Sequence, residues 1–549
     1  MSDAFLRQDL RRLAVISAEK RLACRGFEFD LEARGVDSAS HGLRGVTAEI
    51  SERFARLGLF SVLHALSTTA RCKPVYEFDQ YLFGRSYCSD ERDPSVPFGF
   101  LFNLAVKAPD RPSVSQDRAN DWLESIEMAR DLVSILDVEP YSQFWAVNVT
   151  PPRMEPLLAE VGLYDHLFAL RQWAISETPQ LLQNFFGTSL DGALTAMFGW
   201  SATDAVRLSE SLVKAVRTDP TRVTRAALLS TGLSNATLNS MLKRFVHGAG
   251  QVNCNYTSPL AAESGDLLFR PLIAGEADTF VAPAASIVGP ACYEVVANAA
   301  RVAASTEHTA DFFGKGTERA VAALLRSRGL QPSFEGAKYN VRSAVDAGEC
   351  DLVLEDASNI LLVECKAKAL TRATMSAKPG AALRDYGDGV IASQLQALQH
   401  ERLLQETGEI VFEDGRRLLH LKRRVTRLTV TLLDHGSLQD RFLFINVVEP
   451  LLQYQMSQGP ECPKRKHFLN RFRRELHASG RRNGSAWQGA LGAASLSYGQ
   501  LAAILVGVDG LATFIERICK SASYVSMNPL LEYYYMRMQG LFTAGISAR

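Results

Sequence analysis

The chain has 549 residues, of which 47% are hydrophobic and 22% are charged, with 21 prolines and 38 glycines. This composition is typical of folded globular proteins, so it excludes a mostly disordered, collagen-like or coiled-coil chain, and the length predicts two or three domains. The chain contains no uncharged apolar stretch of about 18 residues, and its N-terminus is charged, so we expect neither a membrane span nor a secretion signal.

Charge is balanced over the whole chain, with 60 basic and 60 acidic residues, but not along it. Residues 1–300 hold 28 basic and 35 acidic residues, residues 301–450 hold 20 of each, and residues 451–549 hold 12 and 5. A basic C-terminal part is compatible with an acidic polymer as partner. The nine cysteines are scattered without a C-x-x-C pair, which argues against a disulfide framework or zinc ribbon and predicts a cytoplasmic protein.

The first half of the chain has the apolar spacing of helices. Residues 1–220 are predicted to be mainly helical, for example over Asn120 to Leu136. Residues 221–305 indicate a helix-turn-helix with a wing: a helical hairpin from Thr224 to Phe245, then strands at Leu267 to Ile273 and Thr279 to Ala282. An ordinary helical hairpin packed in a helical domain is the alternative.

Residues 311–450 predict an α/β domain, because apolar and β-branched runs alternate with helical segments. A helix is expected from Thr317 to Arg328 and another from about Gly389 to Gln405. The predicted strands are Cys350 to Leu354, Ile360 to Val363, Leu428 to Leu433 and Phe442 to Val448. Residues 451–549 are predicted to be helical and basic. The sequence thus predicts a multidomain protein with a helical N-terminal region, an α/β domain and a helical C-terminal segment.

The segment from Gly348 to Lys368 carries the clearest chemical pattern. Two apolar strands flank Asp356-Ala-Ser-Asn359, four residues typical of a turn. With these residues as the loop, paired residue numbers sum to 715, so Asp351 lies opposite Glu364. Facing carboxylates in an antiparallel pair repel each other, and a bound cation would remove that repulsion.

A hard divalent cation such as Mg²⁺, or Mn²⁺, suits two carboxylates and a backbone carbonyl. We therefore predict Asp351, Glu364 and the carbonyl of Cys365 as metal ligands. Lys366 lies two residues beyond Glu364 and is expected on the same strand face, where it would position or deprotonate the attacking water. A buried ion pair with no chemistry is the alternative.

Asp351, Glu364 and Lys366 together resemble the PD-(D/E)xK nuclease superfamily, whose members share a helix-strand-strand-strand-helix-strand core. The resemblance covers residues 311–450. It implies that Glu318, on the first helix, acts on the metal directly or through water, and that Gln394 is a site glutamine on the helix after the lysine strand. Glu349 is a further candidate. Many members have a proline directly before the metal-binding aspartate, and Cys350 occupies that position here.

These features predict a metal-dependent nuclease that hydrolyses phosphodiester bonds in DNA. Two basic runs, Lys464 to Arg474 and Arg416 to Arg427, are candidate phosphate contacts, with simple solubilising surfaces as the alternative. The N-terminal region is expected to select the substrate, a protein partner or a second copy of the chain. By analogy, such an architecture suggests microbial, including antiviral, defence. The alternative function is a nucleic-acid-binding or scaffold protein with an inactive nuclease fold.

Overall fold

The structure is a computed structural model that describes residues 2–29, 41–71, 77–83, 94–138, 150–216, 220–303, 306–339, 347–378, 380–453, 469–478, 492–520 and 528–541. It shows a mixed α and β protein with small sheets. The chain divides into two compact units. The first comprises Met1–Gln143, Glu160–Ala310 and Arg372–Lys378, and the second comprises Phe144–Ala159, Asp311–Thr371 and Pro379–Arg549. The finer division predicted from the sequence stays a prediction.

The described chain is helical up to its first strand. These helices are α1 (Ser2–Cys24), α2 (His41–Leu57), α3 (Leu59–Ala70), α4 (Phe98–Ala105), α5 (Arg118–Leu136), α6 (Pro151–Phe168), α7 (Thr178–Phe186), α8 (Asp191–Phe198) and α9 (Ala202–Ala215). The predicted helix over Asn120 to Leu136 is confirmed as α5. Its first turn is capped by Asp117, which accepts a hydrogen bond from the backbone N–H of Asn120 at 3.0 Å. None of the described helices is long and apolar enough to cross a membrane.

A small sheet with two helices follows in the first unit. Its elements are β1 (Thr221–Thr224), α10 (Arg225–Leu228), α11 (Asn235–Phe245), β2 (Val246–His247), β3 (Leu272–Ala274) and β4 (Thr279–Ala282). The strand order is β1-β4-β3-β2, and β4 pairs antiparallel with both β1 and β3. The second predicted strand therefore lies where expected, whereas the first begins only at Leu272 because Leu267–Phe269 forms a 3-10 turn.

From the end of this sheet onward the described chain mixes helices and strands. These elements are α12 (Ala285–Ala303), α13 (Thr306–Ser327), β5 (Phe334–Tyr339), β6 (Gly348–Glu355), β7 (Asn359–Lys366), α14 (Arg372–Met375), α15 (Ala381–Tyr386), α16 (Ala392–Thr407), β8 (Glu409–Val411), β9 (Arg417–Leu419), β10 (Arg424–Thr431), α17 (Arg441–Gln453), α18 (469–478), β11 (Ala493–Ser497), α19 (Tyr498–Ile504), α20 (Leu511–Lys520) and α21 (Pro529–Met538). One π-helical turn, Gly387–Ile391, leads into α16.

A five-stranded sheet organises the second unit, with the order β11-β10-β7-β6-β5. Strands β5, β6 and β7 are antiparallel neighbours, whereas β10 is parallel to both β7 and β11. Helix α16 packs on β7 and β10. Its buried Leu403 and Leu404 share an apolar cluster with Val353, Ile360 and Leu362. Packing of this face fixes the register, because a slip by one residue would move every apolar side chain on it to the other face of the sheet.

The turn between β6 and β7 has the predicted register. Glu355 pairs with Ile360 and Leu352 pairs with Val363, so the paired numbers sum to 715 as expected. The Asp356 carboxylate accepts hydrogen bonds from the backbone N–H groups of Ser358 and Asn359, each at 2.7 Å. This is the side-chain-to-backbone bonding that makes aspartate favourable in tight turns.

The predicted strand at Phe442 to Val448 is wrong, because these residues lie in helix α17. Asp440 caps this helix by accepting a hydrogen bond from the N–H of Leu443 at 2.9 Å. A short apolar run suits a buried helix as well as a buried strand, and periodicity alone does not separate them. The strand that pairs with β10 at that edge of the sheet is instead β11, which lies beyond residue 450.

The basic run from Arg416 to Arg427 is only partly a surface feature. The Arg427 side chain is 2% exposed and pairs with Glu401, and the Arg423 side chain is 9% exposed and pairs with Glu355 at 2.7 Å. These two arginines therefore serve the fold and are not available to phosphates. Within the other basic run, residues 464–468 lie outside the described residues, and residues 469–474 belong to α18.

The Arg427–Glu401 pair yields a stability prediction. Glu401→Gln should destabilise the second unit by about 3 kcal/mol, because it removes the carboxylate that pairs with a buried guanidinium group. Glu406→Gln on the same helix is the matched control. Its partner is Arg402, and its side chain is 48% exposed, so it should cost about 0.5 kcal/mol or less. Hydrogen exchange of peptides from 392–431 measures both, and equal effects would contradict the prediction.

Candidate active site

Asp351 and Glu364 lie side by side beneath α16. The paired register of β6 and β7 ends at Leu352 and Val363, and Asp351 and Glu364 are the next residue on each strand. They are close enough for the charge of Glu364 to raise the pKa of Asp351. Asp351 is 6% exposed and Glu364 is 1% exposed. The Asp351 carboxylate also accepts a hydrogen bond from the backbone N–H of Cys365 at 2.8 Å.

Burial makes both carboxyl groups weak acids. Burial raises the pKa of Asp351 to about 7, and the charge of Glu364 adds to this rise. Burial likewise raises the pKa of Glu364 to about 8, with a further rise from Glu318 and Glu349. Lys366 acts in the opposite direction on both pKa values, so its ammonium group lies close enough to stabilise the ionised pair.

The two oxygens of Glu364 have different surroundings. Oε1 lies 3.1 Å from Nε2 of His400, whereas the buried Oε2 accepts no hydrogen bond from a donor among the described residues. The neighbouring Asp351 carboxyl can bond to it only when one of the two groups carries a proton. An ionised carboxylate oxygen buried in this way needs a further positive partner, and a hard cation is such a partner.

His400 is held in turn by Tyr339. The Tyr339 hydroxyl lies 2.7 Å from Nδ1 of His400, and both side chains are buried. When the hydroxyl donates to Nδ1, the neutral imidazole carries its proton on Nε2 and donates it to Glu364. An outer hydrogen bond of this kind fixes the orientation of a ligand carboxylate. Neither residue was among the candidates from the sequence.

Glu318 and Glu349 share a lysine at the edge of the same site. Lys315 Nζ donates to Glu318 Oε2 at 2.9 Å and to Glu349 Oε1. Burial raises the pKa of Glu318, and the charge of Asp351 raises it further against the effect of Lys315. Strand β5 passes close by at Gly336, which has a left-handed φ of 52°. Glu318 is therefore near the carboxyl pair, as expected, but it is already paired with Lys315.

Among the glutamines of α16, Gln396 contacts the predicted catalytic lysine. Lys366 Nζ donates to Gln396 Oε1 at 3.2 Å, and Gln396 Nε2 donates to the Glu349 carbonyl at 3.0 Å. The predicted Gln394 instead donates to Thr429 Oγ1 at 3.0 Å and to the Ala494 carbonyl at 3.1 Å. Two residues differ by about 200° around a helix, so Gln394 faces β10 and β11.

Cys365 and Lys368 complete the set of predicted or nearby residues. The Cys365 thiol is buried, and burial raises its pKa well above the ordinary value, so the side chain is a neutral thiol and the predicted ligand is the backbone carbonyl alone. Lys368 Nζ lies 3.3 Å from Asp385 Oδ1. Among the described residues no three His, Cys, Asp or Glu side chains are grouped as a metal site, so a cation here would need backbone and water ligands besides the carboxylates.

Comparisons with known proteins give no match: no protein-family model, no curated protein and no solved structure matches this chain. The function of the site is therefore inferred from its own residues.

The raised pKa values predict how stability depends on pH. Because the folded-state pKa values of Asp351 and Glu364 are about 7 and about 8 and the ordinary values are lower, the folded state binds more protons between about pH 4 and 8. The pair's contribution to stability therefore falls as pH rises through this window. Asp351→Asn keeps an acceptor for Cys365 and removes the repulsion.

In EDTA at pH 8.5, Asp351→Asn should be more stable than wild type by about 1 to 3 kcal/mol, and this advantage should vanish near pH 4. Thermal unfolding across this range measures it. Asp388→Asn, at an exposed position on the π-helical turn, makes the same charge change and should have no such pH dependence. An Asp351→Asn curve parallel to wild type at all pH values would contradict the raised pKa values.

Proposed function

We propose that this protein is a metal-dependent nuclease that hydrolyses phosphodiester bonds in DNA. The observation that carries the proposal is the buried Asp351–Glu364 carboxyl pair with Lys366 on the same side of the sheet. A carboxyl pair of this kind is destabilising by itself, since the desolvation penalty of buried charges commonly exceeds the favourable electrostatic energy from neighbouring groups. Its presence is explained most simply by a function that needs it.

The order of secondary-structure elements around the carboxyl pair supports the same function. Helix α13 is followed by the antiparallel strands β5, β6 and β7, then, after the short helices α14 and α15, by α16. After the β8–β9 pair comes β10, which lies parallel to β7. This is the helix-strand-strand-strand-helix-strand order expected from the resemblance to PD-(D/E)xK nucleases. Glu318 on the first helix, Asp351 on the second strand, and Glu364 and Lys366 on the third occupy the positions that the resemblance implies.

The residues fit a divalent cation such as Mg²⁺. Asp351 and Glu364 would hold it, with the Cys365 carbonyl and water completing the oxygen ligands. The buried Glu364 Oε2 that accepts no hydrogen bond from the described residues is the free acceptor that such a site requires. When bound, Mg²⁺ supplies positive charge that neutralises phosphoryl oxygens and acidifies water.

The remaining side chains would orient the reacting groups. Lys366 would hold the attacking water or take its proton, and Gln396 keeps the ammonium group in place through the 3.2 Å bond to Nζ. His400 fixes the Glu364 carboxylate through the 3.1 Å contact. Glu318 is joined to Lys315, so it would act through water.

The lysine gives the sharpest test of this function. Lys366→Ala should still fold and bind Mg²⁺ but lose cleavage of a labelled DNA duplex by about 10² or more, the usual scale for one acid/base or water-positioning group. Cleavage assays in Mg²⁺ beside calorimetric metal binding measure the two effects separately.

Lys368→Ala is the matched control for this variant. It lies two residues further along, but its ammonium group pairs with Asp385, so its removal should leave most of the activity. Wild-type cleavage by Lys366→Ala would exclude the lysine from the mechanism. Absence of cleavage by the wild-type protein, with DNA binding retained, would favour the alternative of an inactive nuclease fold.

A further inference from the structure

The exposed face of helix α11 in the first unit is mainly polar, with Ala236 as its one exposed apolar residue. Asn235, Asn239 and Lys243 are exposed and recur every four residues, so they form one stripe along the helix. Arg244 is also exposed, and its guanidinium group lies 4.0 Å from the centre of the Phe198 ring. The opposite face, Leu238, Met241 and Phe245, is buried. The helix is therefore packed through one side and exposes mainly polar groups on the other.

The charge around this helix contrasts with the rest of its region. Residues 220–262 contain no Asp or Glu but include Arg222, Arg225, Lys243 and Arg244, whereas residues 1–300 as a whole hold 28 basic and 35 acidic residues. Arg222 is paired with Asp110 at 2.5 Å, and Arg225 has Asp278 at 3.9 Å, so the excess of positive charge rests on Lys243 and Arg244 of the helix itself. A local excess of positive charge on one exposed helix is complementary to a polyanion.

The supporting elements give α11 a defined position. Helix α10 leads into it through a turn in which Gly232 has a φ of 84°, a left-handed conformation that glycine adopts without strain. Ser234 caps α11 by accepting a hydrogen bond from the N–H of Thr237 at 3.0 Å. Strands β3 and β4 form the hairpin that follows in the order of a winged helix. Such an arrangement presents its second helix to a DNA groove.

We propose that α11 binds the major groove of duplex DNA. The groove is about 12 Å wide and admits an α-helix. Asn235 would contact a base edge, since an asparagine amide pairs with the N6 and N7 atoms of adenine. The Asn239 Oδ1 accepts a hydrogen bond from Arg225, so Asn239 would contact a base edge through its amide NH2 alone, and Lys243 and Arg244 would contact phosphates. The hairpin tip carries Glu276 and Asp278, so it is not part of the proposed surface.

This site is separate from the carboxyl pair and assigns a second nucleic-acid contact to the chain. Its test uses the full-length protein and a fluorescein-labelled 30-base-pair DNA duplex, with anisotropy measured in EDTA at several salt concentrations. Because EDTA removes divalent cations, binding is measured whether or not the second unit cleaves DNA. A failure of this proposal would therefore not affect the nuclease proposal, and a failure of the nuclease proposal would not affect this one.

Lys243→Ala should weaken binding to every duplex and reduce the slope of log K against log salt by about 1, the loss of one phosphate contact. The double change Asn235→Ala with Asn239→Ala should instead alter the preference among duplex sequences, by about fivefold or more, with an unchanged salt slope. Lys20→Ala, at an exposed lysine on α1 of the same unit, is the matched control and should bind as wild type does.

Two results would overturn the proposal. One is that Lys243→Ala keeps the wild-type affinity and salt slope. The other is that an unlabelled RNA duplex of the same sequence competes as well as DNA, because the major groove of A-form RNA is too narrow for a helix to enter.

Discussion

The electrostatic conflict between Asp351 and Glu364 is the constraint on which the candidate site depends. Two carboxyl groups that are 6% and 1% exposed cannot both be ionised at low cost, because burial penalises each charge and each charge repels the other. The protein moderates this conflict with the Cys365 N–H, His400 and Lys366. It does not remove the conflict, since Glu364 Oε2 accepts no hydrogen bond from the described residues. A proton or a cation is the remaining counter-charge.

The sheet makes this conflict unavoidable. The Asp356 turn sets the register of β6 and β7, and the apolar residues beneath α16 hold it, because a slip by one residue would turn them to the other face of the sheet. Asp351 and Glu364 are therefore fixed opposite each other by the same packing that stabilises the unit. The supporting residues come from separate elements: Glu318 from α13, Tyr339 from β5, and Gln396 and His400 from α16. Each is placed by its own secondary structure against the carboxyl pair.

The sequence predicted those parts of the site that depend on local rules. A four-residue turn and strict alternation were enough to pair Asp351 with Glu364, because both act over a few residues. Side chains from distant elements were harder to predict. Gln394 was the predicted site glutamine, whereas Gln396 contacts Lys366, because helical spacing alone does not show which side of a sheet-facing helix points at which strand. Gln396 and His400 are four residues apart on a mostly buried helix. Two polar residues at this spacing share one helical face, and this pattern could have identified both. The run at Phe442 to Val448 was misread because its composition suits both a strand and a buried helix.

Proton release on cation binding tests the central claim most directly. If the Asp351–Glu364 pair retains protons at neutral pH and gives them up to a divalent cation, calorimetric titration with Mg²⁺ at pH 7 should show a binding heat that changes between buffers of different ionisation enthalpy, corresponding to about one proton released per cation. Asp351→Asn should abolish that binding. A binding heat that is the same in all buffers, or Mg²⁺ binding that survives in Asp351→Asn, would show that the pair is not the cation site.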